Sequence, residues 1–491
     1  MAAAAPPLTT RPTHDVRDAM RHITVAWMFG AAWLWITTGA ALTQYAKRLG
    51  LPPFGFGLLA AMPFAGALLQ LPASFVLARW GYRKRLMMAA GIVHRMAWVA
   101  IALIPWVLPN AWWWPGLLVL MGISSMAGHA ATPAVLSWFA DLIPSRIRGR
   151  YFSRRSQIGQ FVGLVATVLV GLALDRAMAA GNLALIRTVS LCLGVAAILG
   201  TIDFLWLARV PDVAHRPDPD TQIWRLFREP LRDRNFRHFL GYTATMTFAL
   251  GYIGQFIWLY LFDVVGMSNT KANLMLVMVP LAISMASTRV WGALIDRLGC
   301  KPSMVIAGVL IVHGAAAWVL VTPDHLWVGF VIAMVATAAW PGVDLSNFNL
   351  LLRMSDSKAG QRQGGAYVAV NSVVVAFAGV LSGLFGGLVA KLLGNWHGTI
   401  FGWPLTYHGV LFLISGGLRF AALFWLIGLE EPKAYSTRNA VRYVVGSIYS
   451  NVQQAIFMPV RRMARLGRLA YVLSRRRAAR RAAELARMRG R

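Results

Sequence analysis

Acidic residues and cysteines are both scarce in this chain. Its 491 residues include only 18 Asp and Glu and two Cys, Cys192 and Cys300. One cysteine lies in an apolar run and the other in a basic loop, which indicates neither a disulfide framework nor a metal site. Charged residues make up 13% of the chain and hydrophobic residues 57%. This balance excludes an ordinary soluble globule, because such apolar content in long runs needs a bilayer as its solvent.

Motifs for catalysis and for nucleotide binding are also missing from the sequence. It has no Gly-rich phosphate loop ending in Lys-Ser/Thr, which argues against ATP-driven chemistry. It also lacks a nucleophile elbow and a zinc-binding His-Glu-x-x-His pair, which argues against a membrane enzyme. We therefore predict that the protein is not an enzyme and uses no cofactor or metal.

Long apolar runs dominate what is present. Each run has about 20 residues and is continuous rather than alternating, which predicts membrane-spanning helices. The predicted fold class is an all-α membrane protein with twelve transmembrane helices in two pseudo-symmetric six-helix halves. The runs, here called spans 1 to 12, lie near residues 23–43, 54–77, 86–108, 112–138, 155–175, 184–207, 238–262, 272–294, 303–322, 326–350, 366–390 and 405–428.

The two halves repeat each other at an interval of about 217 residues. Residues 292–301 match residues 74–83 at an offset of 218, and Tyr367 follows Tyr151 at an offset of 216. Duplicated membrane halves are the usual build of secondary transporters, in which the substrate is held between the halves near the bilayer midplane. Carriage of a solute is therefore the leading interpretation.

The distribution of positive charge predicts the orientation. If both ends lie in the cytoplasm, the N-terminal segment and the even-numbered loops hold 24 Lys and Arg, against six in the odd-numbered loops. Such a bias is typical of loops on the cytoplasmic side. We predict a multi-pass protein of the cell's inner membrane with both termini cytoplasmic.

Composition divides the chain into five segments. The connector between the halves is polar and rich in proline, and either a solvated linker or a coupling element fits that composition. The predicted domains are a cytoplasmic N-terminal segment 1–22, a six-helix half 23–207, a central loop 208–237, a six-helix half 238–430 and a basic amphipathic tail 431–491.

The tail combines an apolar stripe with arginine. Val441, Val444, Val445, Ile448 and Val452 recur at steps of three and four residues, which predicts an amphipathic helix. A basic amphipathic helix at a cytoplasmic face usually rests on anionic lipid. Contact with nucleic acid is the weaker alternative because lipid is already adjacent, and we expect none.

Three turns carry a family resemblance. Asp141 and the Arg148-Gly149-Arg150 run follow span 4, and a glycine and arginine turn follows spans 2 and 8. Together, in a duplicated chain of twelve spans, these turns resemble the Major Facilitator Superfamily over about residues 20 to 430. The second copy is the fuller one: Gly292-x-x-x-Asp296-Arg297-x-Gly299-x-Lys301. The first keeps Arg79, Gly81, Arg83 and Lys84 but has Ala78 at the acidic position.

The resemblance implies a gate at the cytoplasmic side. In the family, such turns pair with carboxylates and hold the halves closed until the transporter opens inward. By that analogy Asp141 would pair with Arg79 or Arg83, and Asp296 would act in the second half. The alternative is that these residues only anchor the loops at the headgroups, and the missing acid at Ala78 favours it for the first half.

The resemblance also assigns the central cavity to spans 1, 4, 7 and 10. Aromatic side chains beside neutral hydrogen-bonding groups suit an uncharged or amphipathic solute. For any one aromatic residue, ordinary helix packing is the alternative. The candidate cavity residues are Trp35, Thr38, His129, Tyr242, Gln255, Trp258, Trp340 and Asn347.

A charged side chain at the centre of a membrane helix costs about 2.5–3.5 kcal/mol, so an ionisable residue found there usually has a function. The ionisable residues inside the spans are therefore candidates for coupling to protons. Asp344 follows Trp340-Pro341-Gly342, which is expected to break span 10. Asp203 lies in span 6, and His129 in span 4 could relay a proton. Alternatively, Asp344 pairs with Arg289 or Arg419.

Basic residues occupy equivalent depths in spans 3 and 9. Arg95 lies about nine residues into span 3, and the 218-residue offset leads to His313. Structural attachment inside each half is the favoured interpretation, and a proton path is the alternative.

The predicted function is a secondary transporter that moves a small solute by alternating access, coupled to protons or, alternatively, driven by the solute's own gradient. The alternative is a transporter-like sensor or membrane assembly factor without net transport, with the basic tail as its effector.

Overall fold

A computed structural model describes residues 14–212, 228, 230–357, 364–400, 402–432 and 434–444. Within these ranges, eleven helices are long and apolar enough to cross a membrane, and a bent pair of helices brings the number to as many as twelve. The predicted all-α membrane fold is confirmed. The chain forms two compact units, residues 1–432 and residues 433–491.

The helices match the predicted spans closely, although several spans consist of more than one piece. Spans 1 to 6 are His14–Ile36 with Ala40–Arg48, Pro53–Ala67 with Gln70–Trp80, Arg83–Val107, Trp113–Leu142, Ser145–Ala179 and Asn182–Ala208. Span 7 consists of Arg234–Gly251, Phe256–Leu259 and the π-turn Tyr260–Val264. Span 8 consists of Asn269–Asn273, the π-turn Leu274–Met278 and Val279–Leu298. Span 9 is Cys300–Ala317 with Trp318–Leu320, and spans 10 to 12 are Leu326–Ser357, Gly364–Leu393 and Tyr407–Trp425.

Spans 1 and 7, which occupy equivalent places in the halves, are both interrupted. The pieces of span 1 meet at 45°, and Gly39 at the bend has φ of 67°, a conformation that side chains disfavour. Thr37 and Thr38 lie beside it, and their hydroxyls donate to the carbonyls of Trp33 and Leu34 at 2.9 Å. These bonds keep backbone groups near the bend satisfied inside the bilayer. The apolar run predicted a span here but not its bend.

Span 10 differs from prediction in the opposite way. Its helix Leu326–Ser357 continues through Pro341 without interruption. A methyl group at Gly342 would meet Trp291 of span 8 at 2.6 Å and Ala307 of span 9 at 2.8 Å. The Trp291 indole N–H also donates to the Ala338 carbonyl at 2.7 Å. The glycine therefore permits close packing of three spans, and the predicted break is wrong.

A small hairpin joins spans 11 and 12. Strands β1 (His397–Ile400) and β2 (Trp403–Thr406) are antiparallel, with His397 opposite Thr406 and Ile400 opposite Trp403. Gly402 at its turn has φ of 82°. We call this end of the helix bundle the hairpin end. The opposite end, which carries the turns at Gly81 and Gly299, is called the basic end.

Spans 2 and 11 make the closest contact between the halves. A methyl group at Gly57 would meet the backbone of Gly383 and Gly387, and one at Gly383 would meet Ala61 at 2.8 Å. Small residues that face each other allow membrane helices to approach to backbone contact. This contact lies toward the hairpin end, because Gly57 is near the start of span 2.

The predicted tail and connector are covered only in part. In the unit from residue 433, residues 437–444 are helical. The rest of the predicted amphipathic helix lies outside the described residues, and so does most of the connector. The predicted domain boundaries stay predictions.

Candidate functional site

The turn after span 2 holds a buried arginine and an accessible carboxylate. Arg83 Nη1 lies 2.6 Å from Asp141 Oδ2, in a pair whose arginine side chain is 1% exposed and whose aspartate is 51% exposed. Arg83 also donates to the Ser137 carbonyl at 2.9 Å. Of the two predicted partners of Asp141, the structure therefore selects Arg83, while Arg79 is exposed at the end of span 2.

A lysine in the same turn anchors the end of span 6. Lys84 Nζ donates to the carbonyls of Ala208 and Val210, both at 2.8 Å. After span 4, the Arg148 guanidinium donates to the Ile143 carbonyl at 3.0 Å, and Gly149 is exposed. Arg148 and Gly149 thus shape the local turn after span 4.

In the second half, Lys301 anchors the end of the last span as Lys84 does in the first half. The predicted carboxylate, Asp296, makes no contact like that of Asp141 within the described residues. Lys301 Nζ donates to the Leu429 carbonyl at 2.7 Å, after the end of span 12. Gly299 supplies the turn with φ of 100°. Asp296 is exposed, as is Arg297, and Gly292 is half-buried. The carboxylate that faces this turn belongs to another residue, Glu431.

Glu431 caps the start of span 9 and pairs with span 10. Its carboxylate accepts hydrogen bonds from the backbone N–H groups of Cys300 at 3.1 Å and Lys301 at 2.7 Å. It also lies 2.5 Å from Arg353 Nη1 while being only 6% exposed. An anion at a helix N-terminus is stabilised by the free N–H groups there. Glu431 was not predicted from the sequence, where the adjacent Glu430–Glu431 pair in an acid-poor chain was the available signal.

Polar contacts between the halves cluster at the hairpin end. Asp175 of span 5 accepts from the Asn269 backbone at 2.7 Å, from its side chain at 2.9 Å and from the Thr270 backbone at 3.0 Å. Gln44 Nε2 donates to Asn269 Oδ1 at 2.9 Å. Further contacts between the halves at this end are the Lys47–Asp263 ion pair and the bond from Asn273 Nδ2 to the Thr167 carbonyl at 3.2 Å.

Span 8 contrasts with this closed arrangement, because residues 285, 286 and 288–290 toward its basic end are exposed. In its most apolar stretch only 17% of the residues are buried, a smaller share than in any other continuous span among the described residues. Every described hydrogen bond and ion pair between the halves involves residues of the hairpin end. The structure thus joins its halves at the hairpin end.

The cavity candidates of the first half are mostly engaged within that half. His129 Nδ1 lies 2.8 Å from Gln70 Nε2, which links spans 4 and 2. The Thr38 hydroxyl bonds to its own helix. Trp35 packs at Gly163 of span 5, where a methyl group would collide with the indole.

Gln255 and Trp258 lie at the junction of the two interrupted spans. Gln255 Oε1 accepts from the Thr43 hydroxyl at 3.3 Å. The Trp258 ring covers Gly39, where an added methyl group would lie 3.1 Å away. Glycine at the bend of span 1 therefore makes room for a tryptophan of span 7.

Tyr242, Trp340 and Asn347 lie in the second half. Within the described ranges, the buried Tyr242 hydroxyl and Asn347 Oδ1 have no hydrogen-bond partner. The Arg419 guanidinium carbon is 6.0 Å from the centre of the Trp340 ring. Tyr242 and Asn347 are the candidates that retain unused hydrogen-bonding capacity.

The two acidic coupling candidates have opposite surroundings. Asp203 Oδ2 lies 3.1 Å from Arg95 Nη2, with both side chains no more than 10% exposed. Arg95 also lies 3.5 Å from the centre of the Trp33 ring. Asp344 is exposed, and in the part of the chain that the structure describes it has no ion pair or hydrogen bond.

Two alternative pairings are not present. Arg419 donates to the Ile311 carbonyl at 3.3 Å, and neither it nor Arg289 pairs with Asp344 in the described structure. Arg95 and His313 also lack the equivalent surroundings that their positions suggested, because His313 is exposed and bonds to the Val309 carbonyl of its own helix.

Across the described ranges, no group of three His, Cys, Asp or Glu could hold a metal ion.

Two six-helix halves with interrupted helices at equivalent places, glycine turns and buried ion pairs define a membrane transport protein. The family model of the Major Facilitator Superfamily matches residues 24–383, and the chain belongs to this family. No curated protein sequence matches the chain.

Solved structures share the fold at low identity. The nucleoside transporter NupG is 14% identical with a TM-score of 0.62, and the match covers 85% of this chain and 99% of that chain. A D-xylose–proton symporter is 17% identical with a TM-score of 0.61, covering 87% and 99%. The xylose transporter XylE from E. coli, in an inward-open conformation, is 15% identical with a TM-score of 0.61, covering 87% and 99%.

Family membership confirms the predicted class. The protein is a multi-pass secondary transporter for small molecules and a transport protein rather than an enzyme. The assignment of individual cavity and coupling residues stays a prediction.

Proposed function

We propose that this transporter couples the movement of a small uncharged or amphipathic solute to proton flow, with Asp344 as the proton-carrying group. The observation that carries the proposal is the unpaired, exposed carboxylate of Asp344 within span 10. Proton coupling has a precedent on this fold, since one of the structural neighbours is a D-xylose–proton symporter.

The contrast with Asp203 supports this choice. Arg95 offsets the cost of burying Asp203 in the membrane, and the pair lies within the first half. Asp344 has no such counter-charge among the described residues, so binding a proton is the direct way to remove its charge from the bilayer. Asp344 also lies within electrostatic range of the buried Tyr242 hydroxyl. Proton binding at Asp344 would thus change the polar surroundings of a neighbouring cavity candidate.

The solute would bind between the halves and reach its site from the basic end. The hydrogen bonds at the hairpin end support this direction, because they close the opposite route. Tyr242 and Asn347 offer an unused hydroxyl and an unused amide oxygen. A solute with hydroxyl or amide groups would satisfy both, while the nearby Trp340 would pack on an apolar face.

We propose that the basic end faces the cytoplasm and that the protein resides in the inner membrane with both termini cytoplasmic. The excess of Lys and Arg on this side, 24 against six in the other loops, supports the orientation. The solute-accessible face of this conformation would then be the cytoplasmic one.

The basic tail is proposed to contact anionic lipid and not nucleic acid. From Lys433 onward the sequence holds 15 Lys and Arg. Cations near an anionic leaflet contribute about 1 kcal/mol each, and the membrane is always adjacent to this tail.

Flux into proteoliposomes tests the proposal. The full-length protein is reconstituted and exposed to a mixed library of metabolites, with and without an inward proton gradient, and uptake is read by mass spectrometry. The proposal expects one class of solute to accumulate only with the gradient. An ionophore that collapses the gradient serves as the control and should abolish accumulation.

Other outcomes separate the competing interpretations. Uptake that does not depend on the gradient would contradict proton coupling while retaining transport. No uptake of any compound by protein shown to be folded would favour a sensor or assembly factor. In that case, deletion of residues 434–491 should abolish signalling and spare ligand binding.

A further inference from the structure

A basic pocket lies between spans 1 and 5, outside the central cavity candidates. Its volume is about 340 Å³, and its polar lining comprises Arg21, Thr24, Tyr151, Arg154 and Arg155. On span 1 the lining residues are 20, 21, 24 and 25, and on span 5 they are 151, 154, 155 and 158. Both sets follow the three- and four-residue spacing of one helix face. Two facing helix surfaces therefore build the pocket.

The three arginines of the pocket bring positive charge, and the one acidic residue close to them along the helix is Asp18, one turn before Arg21 on span 1. None of the residues that line it is acidic. In the described part of the protein, Arg21, Arg154 and Arg155 make no ion pair and no hydrogen bond. The carboxylate that acts on Arg155 from a distance is Asp203, which is already paired with Arg95. The pocket thus holds guanidinium groups whose donors are unused.

Arg155 is fixed in place by aromatic rings. Its guanidinium carbon lies 4.3 Å from the centre of the Trp27 ring and 5.7 Å from that of Phe139. Its Nε is buried and has no acceptor among the described residues. A buried donor without an acceptor is unfavourable unless a ligand or water satisfies it. Tyr151 beside it is held by the Met20 carbonyl at 2.9 Å.

The depth of the pocket matches the headgroup layer. Span 5 has 35 residues, so at about 1.5 Å per residue it is longer than the hydrocarbon core of about 30 Å. The pocket lies in the first third of this helix, at the basic end. Of its apolar members, Val25 and Ile158 lie one turn further along their helices than Arg21 and Arg154, while Met20 directly precedes Arg21. The polar part therefore precedes an apolar part that continues toward the bilayer core.

We propose that this pocket binds the phosphate group of an anionic phospholipid, with Arg154 and Arg155 as its principal ligands. Guanidinium groups bind phosphate oxygens through paired, charge-assisted hydrogen bonds. The apolar residues at one side accommodate the start of an acyl chain, which a free phosphate ion does not possess. Basic pockets between membrane helices on the cytoplasmic side are suited to such headgroups.

The second half carries other residues at the positions equivalent to the two principal arginines. Applying the 216-residue offset, Arg154 corresponds to Val370 and Arg155 to Asn371. Val370 is buried, and Asn371 Oδ1 accepts from the Thr243 hydroxyl at 3.1 Å. The arginine pair is therefore particular to the first half, and the second half supplies a natural template for removing it.

Lipid retention by the full-length protein tests the proposal. Wild type and the double variant Arg154→Val with Arg155→Asn are purified in detergent and titrated with phosphatidylglycerol, phosphatidylcholine or inorganic phosphate. Bound molecules are counted by native mass spectrometry. Loss of two cations should weaken phosphatidylglycerol binding about 30-fold. Phosphatidylcholine should bind weakly to both proteins.

The matched control is Arg232→Val with Arg237→Asn, which removes two exposed cations at the basic end of the second half. Retention of tight phosphatidylglycerol binding by this control supports the proposal. An equal loss in the control would overturn it, because the attraction would then be general. Tight binding of inorganic phosphate, with no advantage for phosphatidylglycerol, would overturn the assignment to lipid. If the double variant does not fold, Arg154→Gln alone, at an exposed position, should still reduce binding several-fold.

Discussion

The turn after span 2 and the turn after span 8 hold their lysines alike and their carboxylates differently. Lys84 and Lys301 each bind carbonyls at the end of the last span of their half. The carboxylate comes from the end of span 4 in the first half, as Asp141, and from beyond span 12 in the second half, as Glu431. A duplicated turn thus keeps its backbone contacts while the source of its negative charge changes.

The depth of burial differs as well. In the first half the arginine is buried and the acid accessible, whereas in the second half the acid is buried and Arg353 is 55% exposed. Desolvation makes a buried partner depend on its pair, while an exposed ion pair contributes little. The halves should therefore respond unequally to equivalent substitutions.

The largest effect is expected inside the first half. Asp203→Leu leaves the buried Arg95 without its counter-charge, which should destabilise the protein by about 3–5 kcal/mol. The yield of monodisperse protein and its unfolding temperature in detergent measure this loss. The double variant Arg95→Met with Asp203→Leu should recover most of it. His313 stands at the position of the second half that corresponds to Arg95, and His313→Leu should change the stability little. An equally large loss of stability in His313→Leu would contradict the difference between the two halves.

The second prediction concerns transport. Asp344→Asn removes the group that could bind a proton and keeps its size, so gradient-driven accumulation should fall at least about tenfold while downhill exchange persists. Uptake and exchange in the same proteoliposomes measure the two activities. Unchanged accumulation would remove Asp344 from the mechanism. Asp324→Asn, in the loop between spans 9 and 10, is the matched control and should transport normally.

The third prediction compares the two ends of the bundle. Asp175→Ala removes three hydrogen bonds between the halves, which should weaken closure of the hairpin end by about 2 kcal/mol. With Cys192 and Cys300 replaced by serine, Ala272→Cys, at a buried position one turn after Asn269, should react faster with a membrane-impermeant thiol reagent. Asp324→Ala removes an acid from the same end and should leave the rate unchanged. Unchanged labelling in Asp175→Ala would show that other contacts hold the end closed.

The smallest effects are expected at the basic turns. Glu431→Gln loses an ion pair and a charged helix cap and should lower the free energy of unfolding by about 1–3 kcal/mol. Asp141→Asn leaves Arg83, whose side chain is 1% exposed, without its counter-charge, so it should lower the free energy of unfolding by at least as much. Thermal unfolding of both variants in one detergent tests the order. A clearly smaller effect at Asp141 than at Glu431 would contradict the dependence of the buried Arg83 on this ion pair.

The positions of the spans were predictable because bilayer thickness fixes the length of an apolar run. Each predicted span overlaps an observed helix, and the overhanging ends, such as 145–154 of span 5, are the polar turns that hydropathy omits. The ion pair of Asp141 was also predictable in part, since the sequence limited its partner to Arg79 or Arg83. Choosing between these two arginines required knowing which side chain is buried, and local sequence does not encode that.

Other features depended on contacts distant in sequence. Glu431 lies about 130 residues after Cys300, and no periodicity connects the two. The bend of span 1 follows from Gly39 yielding space to Trp258 of the other half. Pro341 suggested a break, but packing by Trp291 and Ala307 kept the helix continuous. In each case tertiary contacts decided what the local pattern left open.

The contact at Gly57, Gly383 and Gly387 has a kinetic consequence. Backbone meets backbone at Gly57, and the side chains nearest to Gly383 and Gly387 are those of Ala61 and Phe54. A methyl group at Gly57 would collide with the backbone of span 11 and introduce a steric barrier to any change in the crossing angle of spans 2 and 11. We therefore expect Gly57→Ala to slow turnover.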